Sequence, residues 1–90
     1  MYTVYVLRSL RDGSLYIGVT KRAAEERLEE HNAAKTHGNR NRLPYQLIYT
    51  EIYESLALGR QREHFLKSGK GRRVLSTLVA VRPLAGNAGR

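Results

Sequence analysis

Five of the tyrosine, arginine, histidine and glutamate side chains of this 90-residue sequence are candidates to act on phosphate esters: Tyr5, Tyr16, Arg27, His31 and Glu63. A guanidinium neutralises phosphate charge, and a phenol or an imidazole can orient a water molecule and take its proton. A carboxylate can hold a divalent metal ion that polarises the phosphate. Such a set suits metal-assisted hydrolysis of a phosphodiester bond, provided that the fold brings its members to one surface.

The two tyrosines lie in segments that alternate as β-strands do, residues 2–7 and 15–20, and Asp12-Gly13 lies between these segments. Asp-Gly supplies the backbone conformation of a tight turn, so the segments predict a β-hairpin. A pairing that places the valines of both strands on one face places Tyr5 and Tyr16 together on the other. The alternative to a chemical function is an aromatic pair that only packs.

A helix is predicted from Lys21 to Asn32, with Thr20 as its N-cap. Arg27 and His31 recur at helical spacing with the apolar residues of this segment, so we expect both to face the sheet. Arg27 could hold a phosphate there, or it could be exposed and paired with Glu30. His31 could contact substrate or move a proton, or it could be a hydrogen-bonded structural residue. The remaining acids form a solvated surface without assigned chemistry, and they are Glu25, Glu26, Glu29 and Glu30.

Residues 45–53 have high β-propensity and predict a third strand, with Leu47 and Tyr49 on one face and Ile48 on the other. Ser55 then caps a second helix that runs to about Lys67. Helical spacing places Glu63 on the inward face of that helix, where a carboxylate needs a cation. The cation could be Arg60 or Lys67 in an ordinary helix salt bridge, or a divalent metal ion.

The sequence from Ser68 to Arg73 closes the second helix and opens a short third one, whose apolar stripe caps the core. Residues 33–43 form a basic loop, and residues 83–90 predict a disordered tail after a single domain over 1–82. The predicted fold is therefore α+β, a small three-stranded antiparallel sheet flanked by about three helices. Basic side chains that we expect to contact nucleic acid are Lys35, Arg40, Arg42, Lys67, Lys70 and Arg72.

Sixteen lysines and arginines against eight acids give a formal net charge of +8, which predicts a polyanionic partner, with nucleic acid the first candidate. A ribosome-associated or merely soluble basic protein is the alternative. Absence of cysteine excludes disulfides and thiolate metal sites. With no leader-like N-terminus and no apolar run of membrane-spanning length, we expect a cytoplasmic protein without membrane contact.

The sequence resembles the GIY-YIG nuclease family, and in particular its small, stand-alone bacterial members. Thr3-Val4-Tyr5, ten intervening residues and Tyr16-Ile17-Gly18 are similar to the two-part signature, and the likeness continues through residues 26–32 and 62–72. The resemblance implies that Arg27 is the motif arginine, that Glu63 is the ligand of Mg²⁺ or Mn²⁺, and that the substrate is DNA, or RNA. It leaves open which tyrosine acts as the base.

The resulting prediction is a metal-dependent endonuclease for DNA, structure-specific and linked to repair or recombination, with target choice supplied in part by a partner protein. A noncatalytic nucleic-acid-binding module with a decayed site is the alternative, because Thr3 stands where the name-giving glycine of the family would be. The inward-facing carboxylate of Glu63 favours the enzyme, since a mere binder has no need of it amid bound phosphates.

Overall fold

The computed structural model describes residues 1–33 and 42–81. Its first two strands, β1 (Tyr2–Ser9) and β2 (Leu15–Thr20), pair antiparallel as the alternation predicts. The turn between them places Gly13 at φ +77°, and the backbone N–H and hydroxyl of Ser14 both donate to the Asp12 carboxylate. Only a residue without a β-carbon takes that dihedral readily, so the Asp-Gly pair fixes the hairpin.

The third strand, β3 (Tyr45–Tyr53), pairs antiparallel with β1 on its other side, which gives the order β2-β1-β3. The register slips between Val6 and Leu7, where Val6 pairs with Tyr49 but Leu7 pairs with Leu47. The expected face assignment of β3 was therefore wrong. Because Ile48 is an extra residue at this bulge, Ile48 and Tyr49 pack in one core cluster while Leu47 packs in the other.

The sheet has two covered faces. The tyrosine face carries Tyr5, Leu7 and Tyr16, and helix α1 (Ala24–Asn32) packs against it through Ala24 and the half-buried Leu28. The opposite face carries Val4, Val6 and Ile17, and it is covered by helices α2 (Leu56–Lys67) and α3 (Gly69–Val81) through Leu66 and Leu75. This arrangement confirms the predicted α+β fold with three strands and three helices.

Helix α1 begins three residues later than expected, because the hydroxyl of Thr20 does not cap it. That hydroxyl accepts a hydrogen bond from the backbone N–H of Arg22 at 3.0 Å, and Ala23 stands at the N-cap without a side-chain bond. The other end of α1 is held by Asn32, whose side chain accepts from the N–H of Tyr45 at 2.6 Å and donates to its carbonyl at 3.1 Å. The start of β3 is thus tied to the end of α1.

The cap of α2 is confirmed, since the Ser55 hydroxyl accepts from the N–H of Leu58 at 3.2 Å. Helix α3 has 13 residues and is longer than the short helix expected. At the junction between them, a β-carbon on Gly71 would lie 1.7 Å from the carbonyl oxygen of Phe65, so only glycine permits this approach of the two helices. Among the helices within the described ranges, none has the length and apolarity needed to cross a lipid bilayer.

Candidate active site

The hairpin register places Tyr5 opposite Gly18 and Tyr16 opposite Leu7, so the two tyrosines are diagonal neighbours on the tyrosine face. Their ring centroids are 6.2 Å apart and their planes differ by 30°. The Tyr5 ring lies over Gly18, because a β-carbon at residue 18 would be only 2.6 Å from the phenolic oxygen. The side-by-side placement that alternation predicts is therefore present, with a glycine making room for one of the rings.

Arg27 and His31, one helical turn apart on α1, both reach the hydroxyl of Tyr5. The Nε of Arg27 donates to the Tyr5 Oη at 3.4 Å, and the Nε2 of His31 lies 3.4 Å from the same oxygen. The shared apolar face of α1 positions them, as the helical spacing predicts. Four of the five residues singled out from the sequence are thus joined in one contact network over the sheet.

Burial governs protonation in this network. It raises the pKa of the Tyr5 phenol above its ordinary value of 10.0, and the opposing hydrogen bond from Arg27 does not outweigh it. Arg27 favours the phenolate of Tyr5, but the effect of burial is larger, so the phenol stays protonated. Burial also lowers the pKa of His31, and the charge of Arg27 adds to this effect. Both groups are accordingly neutral near pH 7.

Tyr45 is a member of the site that was not among the residues predicted from the sequence. Its ring lies 6.0 Å from that of His31 and 6.4 Å from that of Tyr16, while the His31 and Tyr16 rings are 4.4 Å apart. Tyr45 comes from the first residue of β3, opposite Ser9. The signal that could have found it is the pairing of β3 with β1, which the sequence does not specify.

Glu30 is a second residue of the site without a predicted chemical role. Its carboxylate pairs with Arg27, which was one of the two alternatives for that arginine, and it also pairs with Arg22 at 2.7 Å. These two arginines, Arg22 foremost, lower the pKa of the Glu30 carboxyl to about 2. Arg27 is therefore held at two points, since its Nη1 is paired with Glu30 while its Nε donates to Tyr5.

Glu63 lies on α2, which packs on the face of the sheet opposite to Tyr5. Its side chain is only 13% exposed, and it pairs with the 51% exposed Lys67 at 2.9 Å. One turn earlier, a β-carbon on Gly59 would lie 3.2 Å from Val19 of the edge strand β2, so this part of α2 sits tightly on the hairpin. The expected inward orientation of Glu63 is present, together with the helix salt bridge that was its alternative.

The donor set near Glu63 suits a hard divalent ion held by few protein ligands. Within residues 1–33 and 42–81, no three histidine, cysteine, aspartate or glutamate side chains converge as a metal cluster. Mg²⁺ commonly takes one or two carboxylates and completes its octahedron with water and phosphate oxygens. A single largely buried carboxylate fits this pattern, and Lys67 now supplies the positive charge that an ion would replace.

The predicted basic contacts fall at separate places. Lys67, Lys70 and Arg72 are exposed around the junction of α2 and α3. Arg42 is exposed beside the hairpin turn, where its carbonyl accepts from the Ser9 hydroxyl at 2.6 Å. Lys35 and Arg40 lie outside the described residues, as do most of the predicted basic loop and the predicted tail.

Known proteins share both the sequence and the fold of this chain. A UPF0213 protein from Natronomonas pharaonis is 42% identical over 66 residues, which are 72% of this chain and 75% of that protein. A UPF0213 protein from Bacillus licheniformis is 44% identical over 64 residues, or 70% and 64% of the two chains. The solution NMR structure of a UPF0213 protein from Bacillus halodurans superposes with a TM-score of 0.51 at 29% identity, covering 87% of this chain and 85% of that one.

The family model of the GIY-YIG catalytic domain matches residues 1–75. This span contains the tyrosine hairpin, the helix that carries Arg27 and His31, and the helix that carries Glu63. The resemblance drawn from the tyrosine motifs is thereby confirmed over most of the chain, and the protein belongs to the GIY-YIG family.

Proposed function

We propose that the protein is a divalent-metal-dependent endonuclease that hydrolyses phosphodiester bonds in DNA and acts in DNA repair or recombination. The observation that carries the proposal is the contact of Arg27 with Tyr5 beside Tyr16, which places a cation and two phenols on one face of the sheet. The net charge of +8 supports a nucleic-acid substrate. Membership of a nuclease family supports the reaction type.

The differing exposure of the tyrosines supports a division of labour between them. Tyr5 is 1% exposed and has a raised pKa, so it remains a neutral phenol that accepts a hydrogen bond from Arg27. Tyr16 is only partly buried and packs on His31, so it can meet water at the surface. We assign to Tyr16 the orientation and deprotonation of the attacking water, and to Tyr5 the positioning of Arg27.

Arg27 neutralises the charge that grows on the nonbridging phosphate oxygens. Glu30 and Tyr5 hold its guanidinium at two points, so its direction is set before substrate arrives, and preorganised charge acts without reorganisation during the reaction. Glu63 lies on the helix that covers the other face of the sheet and packs against the edge strand β2, and there it would hold Mg²⁺ or Mn²⁺ in exchange for its bond to Lys67. When bound, the ion supplies polarisation of the scissile phosphate and stabilisation of the leaving oxygen.

The test is a cleavage assay on labelled single-stranded, duplex, flap and four-way-junction DNA in Mg²⁺, Mn²⁺ or EDTA. Glu63→Ala is compared with Glu54→Ala, which removes an exposed carboxylate just before α2. We expect cutting that needs metal, disappears in Glu63→Ala and persists in Glu54→Ala. The preferred substrate in the panel then defines the structure that the enzyme recognises.

Two outcomes would refute the proposal. Undiminished cutting by Glu63→Ala would remove Glu63 from the site. No cutting of any substrate, combined with tight and salt-sensitive binding, would make the protein a noncatalytic nucleic-acid-binding module.

A further inference from the structure

A groove lies on the opposite face of the sheet, between the turn end of the hairpin and helix α3, with a volume of about 300 Å³. Its floor is apolar and its edge carries two arginines. The side chains that form it include Arg8, Leu15, Ile48, Arg72, Leu75 and Val79. Grooves of this size are large enough to hold a small organic ligand.

The floor of the groove is part of the packed core. Ile48 and Leu75 belong to the buried core cluster of the opposite face, and Leu15 and Val79 pack against that cluster. Ile48 is in this position because of the β-bulge in β3, which turns its side chain to the same face as Tyr49. A flat apolar ligand group would therefore meet a preformed surface.

The arginines at the edge carry charge that the neighbouring residues do not balance. Arg8 comes from β1 and Arg72 from α3, and both are exposed. Neither takes part in the ion pairs described within residues 1–33 and 42–81. Helix α3 contains no acidic residue. The groove thus combines an apolar floor with donors for an anion, which is the chemistry of a base joined to a phosphate.

The groove and the tyrosine site are back to back on one strand. Leu15 in the groove and Tyr16 in the site are consecutive residues of β2, so their side chains point to opposite faces. Strand β2 is an edge strand of the sheet formed by residues 1–33 and 42–81, whose order is β2-β1-β3. A flexible single strand of nucleic acid bound at Tyr16 can therefore pass the turn end of the hairpin and reach the groove.

We propose that this groove binds one nucleotide of the nucleic-acid strand that flanks the tyrosine site. The base lies on the apolar floor, and Arg8 and Arg72 hold the adjoining phosphate. This inference rests on the proposed nuclease function for the identity of the ligand. It adds a contact for unpaired nucleotides, so the substrate favoured is one with a single-stranded segment next to the point of cleavage.

The charge contact is tested with a matched pair of neighbouring arginines. Arg72 and Arg73 are both exposed on α3, but only Arg72 lines the groove. Binding of a fluorescent single-stranded oligonucleotide is measured in EDTA at several salt concentrations. We expect Arg72→Ala to weaken binding roughly tenfold and to reduce the salt slope by about one, with a smaller effect for Arg73→Ala. Equal losses in the two variants would overturn the proposal.

The base contact is tested by filling the groove. Ser76 lines the groove, whereas the next residue, Thr77, is exposed outside it. Ser76→Trp is expected to weaken oligonucleotide binding about tenfold and Thr77→Trp to leave it unchanged. An abasic site moved along the oligonucleotide should weaken binding to the wild-type chain at one position and at none for Ser76→Trp. Uniform loss at all positions would show that no base occupies the groove.

Further results distinguish the strand contact from binding of a free nucleotide, and the groove from the nuclease activity. A nucleoside monophosphate that binds as tightly as the oligonucleotide would overturn the strand contact, because the groove would then serve a free nucleotide. Since binding is measured without turnover, a chain that shows the expected pattern but never cuts DNA refutes the nuclease alone. A chain that cuts DNA while Arg72→Ala and Arg73→Ala behave alike refutes the groove alone.

Discussion

The phenol of Tyr5 lies over the backbone of Gly18, and a β-carbon at residue 18 would be 2.6 Å from the phenolic oxygen and 2.7 Å from the ring carbon that bears it. Because Tyr5 is buried, its ring cannot move aside without disturbing the core. The glycine of the second tyrosine motif therefore exists to seat the tyrosine of the first. The two halves of the motif are one steric unit.

Gly18→Ala should displace the Tyr5 ring and weaken its contacts with Arg27 and His31. We expect cleavage to fall at least about tenfold and stability to fall by about 1–3 kcal/mol, the usual penalty for overpacking. The measurements are cleavage rate and thermal unfolding. Gly69→Ala is the control, since a β-carbon there meets no atom within 4 Å. Full activity in Gly18→Ala would show that the position of Tyr5 does not matter to the reaction.

Tyr5→Phe and Tyr16→Phe should lower the cleavage rate by different amounts. Loss of the Tyr16 hydroxyl removes the assigned base and should lower the cleavage rate by about 100-fold or more. Loss of the Tyr5 hydroxyl removes one hydrogen bond to Arg27 and should cost about tenfold. Single-turnover rates with saturating enzyme make the comparison. The reverse order of effects would exchange the two assignments.

His31 should make stability depend on pH just below neutrality. Its folded-state pKa is lowered from 6.5, so the unfolded chain takes up a proton as pH falls through 6.5 while the folded chain does not. The stability that neutral His31 contributes is thus present above pH 6.5 and is lost as pH falls towards its folded-state pKa. The free energy of unfolding changes there by at most about 1.4 kcal/mol per pH unit.

Denaturant unfolding of His31→Gln between pH 7.5 and about 5.5 checks this dependence. The variant should show a flatter profile than the wild-type chain. His64→Gln, at an exposed position on α2, should keep the wild-type slope. Parallel profiles for His31→Gln and the wild-type chain would remove His31 as the source.

Gly71→Ala and Gly69→Ala form a second matched pair, at the junction of α2 and α3. A β-carbon on Gly71 would overlap the Phe65 carbonyl oxygen at 1.7 Å, a backbone atom that cannot rotate away. We expect Gly71→Ala to destabilise the chain by about 3 kcal/mol or more, and Gly69→Ala to stay within about 1 kcal/mol of the wild type. Urea unfolding separates the two. Equal stabilities would mean that α3 shifts freely.

Local patterns predicted much of this fold because the interactions behind them are local. The Asp12-Gly13 turn fixes the hairpin register, and that register with strand alternation brings Tyr5 and Tyr16 together. Helical spacing placed Arg27 and His31 over the sheet. The Ser55 cap was readable for the same reason, since its partner is three residues away.

The features that the sequence did not reveal depend on distant pairings. The bulge at Ile48 arises only when β3 pairs with β1, and it reverses the faces of the residues on one side of it. Helix α1 begins later than predicted because the Thr20 hydroxyl bonds to the N–H of Arg22 within a turn and does not cap the helix. Tyr45 entered the site through tertiary packing. No periodicity within a single segment carries this information.

The Asn32 side chain, which bonds both the N–H and the carbonyl of Tyr45, links the last residue of α1 to the first residue of β3. These two hydrogen bonds connect the residue after His31 directly to Tyr45. Because both bonds hold the backbone of Tyr45 against the last turn of α1, Asn32 sets where the Tyr45 ring stands relative to the ring of His31.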